Sequence, residues 1–120
     1  MPVTERDIEA WAARIRPHFP ATQQDIAEIA ARVIAAEVGP NVKALRPDTS
    51  MATVMSWLKE TQRGVFSPDW VEILMAVELE SKSEVTDAFA EALETRTFGE
   101  YIEHLTKMRP NKSFERTRGR

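Results

Sequence analysis

The 120-residue chain has no cysteine, which removes disulfides, thiolate metal sites and cysteine nucleophiles from consideration. Glycine is scarce: four residues leave little material for a phosphate-cradling loop, and no P-loop or GxGxxG pattern occurs. The two histidines, His18 and His104, stand in different segments without an HExxH spacing, so both read as surface or helix-end residues. Long apolar runs are missing too. The most apolar stretch, Ile73 to Leu79, is interrupted by Glu78 and is far shorter than the roughly 20 residues a membrane span needs. The opening residues MPVTERDIEAWAARIRP show no basic segment leading into an apolar one, so they are not read as a signal peptide and a cytoplasmic location is expected. Carboxylates are plentiful but spread along the chain as on a solvated surface. Nothing in the pattern asks for an enzyme.

What is present is charge of uneven sign and a helical period. The net charge is −3. Residues 107–120 hold six Lys/Arg against one Glu, a surplus of +5, so residues 1–106 carry −8. An acidic body repels nucleic acid and anionic membranes and favours partners with basic patches. No stretch alternates with period two for long, whereas apolar residues recur with period 3.6 throughout, which predicts an all-α bundle.

The punctuation of these helices is legible. Thr4 caps a first helix with Ile8, Trp11, Ala12 and Ile15 on one face, ended by Pro17. A second opens at Thr22 and runs through Ile26, Ile29, Ala30, Val33 and Ile34 to Gly39-Pro40. Residues 40–47 form a loop with two prolines. Asp48, Thr49 or Ser50 can cap a third helix bearing Met51, Val54, Met55 and Leu58, and Gly64 marks the next break. Ser67-Pro68-Asp69 joins an N-cap, a first-turn proline and an acid at the positive helix end. The helix that follows carries Val71, Leu74, Met75 and Val77 to about Glu80. A shorter segment spans Glu84 to Glu94, and Thr97 opens the last helix with Phe98, Tyr101, Ile102 and Leu105. Residues 1–108 thus read as one helical domain. Residues 109–120 lack apolar period and read as a disordered basic tail.

The segment Gly64 to Leu93 (GVFSPDWVEILMAVELESKSEVTDAFAEAL) resembles the acyl carrier protein family, whose pattern is G-x-D-S-L-D-x-V-E-L followed by M-A-L-E-E. Gly64, Ser67, Asp69, Val71, Glu72, Met75, Ala76, Glu78, Asp87 and Ala90 fall at matching positions without a gap. TFGEYIEHL is similar to the family's last helix, IAEIAARVIAAEVG to its first, and Arg46 to Met51 (RPDTSM) to the P-D-T-S-L that follows it. Together these cover most of residues 22–106. The resemblance implies a carrier-like bundle with an added helix in residues 1–20 and an enlarged, partly helical first loop in which residues 52–63 are extra. Trp11 and Trp57 lie in these additions, where core packing is the expectation for both.

The resemblance also implies a function. Ser67 would carry a covalent 4′-phosphopantetheine arm, attached by a phosphopantetheinyl transferase, whose thiol holds an acyl group as a thioester. Val71, Met75 and Val77 would line or flank an apolar cleft for that group. Asp69, Glu72, Glu78 and Glu80 would present an acidic face to acyl-transferring enzymes with basic patches. Phe66 stands where the family has Asp, and Pro68 where it has Leu. The alternative is the same fold used without an arm, as a protein-interaction module in which Ser67 only caps its helix.

Overall fold

The computed structural model describes residues 4–61 and 70–108. Gly64, the Ser67-Pro68-Asp69 start signal and the basic tail at 109–120 lie outside the described residues. Among the described residues six α-helices follow one another: α1 (Glu5–Ala13), α2 (Gln24–Val38), α3 (Met51–Thr61), α4 (Trp70–Ser81), α5 (Asp87–Glu91) and α6 (Phe98–Met108). Among the described residues there is no strand, and the chain is an all-α bundle.

Side chains three residues apart set most of the helix starts. The Thr4 hydroxyl accepts from Asp7 N–H at 3.1 Å while the Asp7 carboxylate accepts from Thr4 N–H at 3.2 Å. Thr97 and Glu100 close the same reciprocal pair at 3.1 and 2.9 Å at the head of α6. Ser50 is the cap of α3, its Oγ accepting from Thr53 N–H at 3.1 Å, whereas Thr49 caps the preceding turn by accepting from Arg46 N–H at 2.9 Å. Each such bond satisfies a backbone donor that the helix itself leaves open.

The other boundaries differ from the sequence reading for identifiable reasons. The first helix ends at Ala13, and Pro17, lacking an N–H, is taken up in a 3₁₀ turn over Arg16–His18. The second begins at Gln24, not Thr22, because Gln23 N–H is spent on Pro20 O (2.8 Å) in a turn that consumes Thr22. The expected loop at 40–47 is largely a 3₁₀ helix, Gly39–Ala44, that buries Val42. The segment after α4 narrows to five helical residues because Glu84 and Val85 are drawn out flat against α4, Val85 N–H donating to Glu78 Oε2 at 2.7 Å.

α2 is the axis of the bundle and touches α1, α3, α4 and α6. Its buried positions alternate large with small: Ile26, Ala27, Ala30, Ala31, Ile34, Ala35 and Val38. The alanines let neighbouring helices approach closely, and the isoleucines fill the space between them. α1 adds Ala12 to the core, and the residues after it add Ile15 and Phe19, the latter meeting Phe98 edge-on at 5.8 Å. Trp11 and Trp57 are half-buried against this core. A single antiparallel bridge ties Ser50 to Thr97, with Met51 N–H donating to Arg96 O (2.8 Å) and Phe98 N–H to Thr49 O (2.7 Å).

Candidate functional site

α4 is apolar on two sides, one buried and the other largely exposed. Ile73 and Val77 are buried together with Ser81, at the i, i+4, i+8 spacing of one helix face. Val71, Met75 and Leu79 repeat that spacing on a second stripe, where they are 59%, 60% and 80% exposed. Val71 and Met75 border an open groove of about 550 Å³ between α4 and α5, with Leu74 and Met55 on one side and Val85 and Ala90 on the other. Met75 and Leu79 also border a broader depression of about 1050 Å³ that ends at Met108, itself 42% exposed.

Of the three residues expected to line or flank an apolar cleft, Val71 and Met75 border this groove and Val77 does not. At 100° per residue, six positions bring a side chain roughly 240° round the helix, so Val71 and Val77 cannot share a face. Val77 instead joins the core. Its partner on the buried face is Ile73.

The acidic residues divide as well. Residues 71–94 contain Glu72, Glu78, Glu80, Glu84, Asp87, Glu91 and Glu94 against Lys82 alone, so the rim of the stripe is strongly negative. Glu78 holds the stretch after α4 through Val85 N–H. Glu80 reaches Arg32 of α2 at 3.9 Å, and Arg32 also lies 3.4 Å from Glu9 of α1. Glu37 of α2 has its carboxyl pushed above the usual range, by burial first and by the negative charge of Glu72 second. Ser67 and Asp69, with the neighbouring Phe66 and Pro68, lie outside the described residues.

One side chain at this site carried no sequence signal. His104 of α6 stacks on Phe89 of α5, ring centroids 4.1 Å apart and 8° from parallel, and its Nε2 accepts from Thr86 N–H at 3.2 Å. Arg96 lies over the same phenylalanine ring at 5.4 Å. Burial lowers the affinity of His104 for a proton, and the positive charges of Lys107 and Arg96 lower it further. A neutral imidazole therefore anchors α5, one wall of the groove.

Among the described residues no group of His, Asp or Glu is placed to hold a metal ion, and no helix is long and apolar enough to cross a membrane. Comparison with protein-family models, with curated proteins and with solved structures gives no match to this chain.

Proposed function

We propose that the chain is a carrier protein of the acyl-carrier type, holding an acyl or other thioester-linked group on a phosphopantetheine arm at Ser67 and presenting it to partner enzymes. The observation that carries this reading is the exposed apolar stripe Val71, Met75 and Leu79, rimmed by carboxylates, on the helix that follows Ser67 in sequence. A partner surface with an apolar centre and a basic rim is complementary to it, and charges at that rim speed encounter more than they add affinity. The arm would be joined through a phosphodiester to the serine hydroxyl. The transferase forms that bond as the pyrophosphate link of the donor, coenzyme A, breaks and its nucleotide leaves, and the carrier's own side chains need supply no acid or base.

Phe66 and Pro68 favour a second reading, in which the same stripe docks partners with no arm attached. Intact mass after co-expression with a broad-specificity phosphopantetheinyl transferase separates the two. The carrier reading expects one phosphopantetheine per chain, abolished by Ser67→Ala. If the natural chain stays unmodified while Phe66→Asp with Pro68→Leu gains the arm, the protein is a docking module built on a carrier's pattern.

A further inference from the structure

Opposite in chemistry to α4 is a narrow cavity of about 140 Å³ between the end of α1, α2 and the turn after Gly39–Ala44. Its wall contains Trp11, Arg14, His18, Lys43 and Arg46 and no carboxylate. Cations beyond the C-terminal ends of helices are favoured by the helix dipole, which accounts for Arg14 after α1 and for Lys43 and Arg46 at the end of the 3₁₀ helix, each at its own end. It does not account for two chain segments, about 30 residues apart, aiming their cations into one cavity.

Three other described arginines of the bundle meet carboxylates, Arg16 bonding Glu28 and Asp25, Arg32 lying by Glu9 and Glu80, and Arg96 by Glu100, whereas Arg6 forms no such pair with a described residue. None of Arg14, His18, Lys43 and Arg46 forms an ion pair with a described residue. Arg46 is nonetheless fixed, Nη1 donating to Leu45 O at 2.7 Å and to Lys43 O at 3.1 Å, and Lys43 Nζ sits 5.6 Å from the centre of the Trp11 ring. Positive charges gathered without a counter-charge among the described residues of an acidic body create a local potential that draws in an anion.

We propose that this cavity binds the phosphate group of a small soluble molecule. Arginine forks and a lysine ammonium are the side chains that recognise phosphate oxygens. The volume lies well below the roughly 300–1,000 Å³ of pockets that enclose a whole drug-sized ligand, so the phosphate enters and the remainder of the molecule lies across Trp11 at the mouth. The residues involved are separate from α4 and from Ser67, so this site stands or falls independently of the carrier reading.

The test is a titration of the ¹⁵N-labelled full chain with inorganic phosphate and with glycerol 3-phosphate at constant ionic strength, following the indole N–H of Trp11. A saturable shift at Trp11 with Trp57 unmoved is expected. Arg14→Gln and Lys43→Gln should each weaken binding at least about tenfold, the usual scale for losing a charged hydrogen-bond partner. Arg6→Gln, outside the cavity, should leave it unchanged, and Lys43→Arg should retain it if Lys43→Gln fails to fold. The proposal is overturned if Trp11 does not respond saturably, if chloride produces the same shift, or if Arg6→Gln weakens binding as much as Arg14→Gln. It is also overturned if only vesicles containing phosphatidic acid bind, which would make the ligand a lipid surface.

Discussion

His104 accepts a backbone hydrogen bond that exists only while its Nε2 is unprotonated. Its proton affinity in the folded chain is lowered, by burial first and then by Lys107 and Arg96. A group with a depressed folded pKa contributes stability above its unfolded value, about 6.5 for histidine, and loses it as pH falls through the folded value. Protonation should therefore release Thr86 and loosen α5 while the rest of the bundle holds. The hydrogen-exchange protection factor of the Thr86 amide is expected to drop below about pH 6.5, and in His104→Gln, which keeps an acceptor without titrating, to stay level. Equal loss of protection in both proteins would show that His104 is not the cause. Nothing in the sequence joins residue 86 to residue 104, because the bond depends on how α5 meets α6. The caps at Thr4, Ser50 and Thr97 are legible for the opposite reason: each is settled within three residues.

Among the elements, α4 is the one whose two apolar sides make different predictions. Ile73→Ala removes a buried side chain and should cost about 2–5 kcal/mol in denaturant unfolding. Leu79→Ser changes an 80% exposed position and should shift stability by no more than ~0.5 kcal/mol. On the carrier reading proposed above, it should instead weaken capture of the partner enzyme. If Leu79→Ser destabilised the fold as much as Ile73→Ala, the stripe would be part of the core. A string of apolar residues announces α4 plainly, but a helix apolar on two sides does not say which side is inside. That was decided by α2, which packs against α4 and takes up the Ile73–Val77 side. The cation-lined cavity was beyond sequence reading on similar grounds, since Arg14 and His18 meet Lys43 and Arg46 only once α1 has folded back on α2.

Taken whole, the molecule gives its N-terminal helix a larger part than an appendage would have. α1 and the residues just after it place Ala12, Ile15 and Phe19 in the common core. Burying Ile15 and Phe19 contributes roughly 1.5–3 kcal/mol each, a large share of the roughly 5–15 kcal/mol that holds a small domain together. Deleting residues 1–20 should therefore lower the thermal midpoint by well over ten degrees or leave a chain that aggregates. An unchanged midpoint would mean that α2 to α6 form a self-sufficient unit. The exposed ion pairs around Arg16, Arg32 and Arg96 add little by comparison.

The bridge between Ser50 and Thr97 also bears on the order in which the chain assembles. Bringing those two positions together closes a loop of about two fifths of the chain, at an entropic cost of about 3–4 kcal/mol beyond the constant for any closure. α1 and α2 are joined by a short turn and can find each other cheaply. The hairpin they form is the cheaper contact to close. α6 is a late contact by loop length but a deep one, with Phe98, Tyr101, Ile102 and Leu105 all buried. Were it to lift away, Met51 would lose the carbonyl of Arg96 and Thr86 the ring of His104, so the start of α3 and α5 would loosen together.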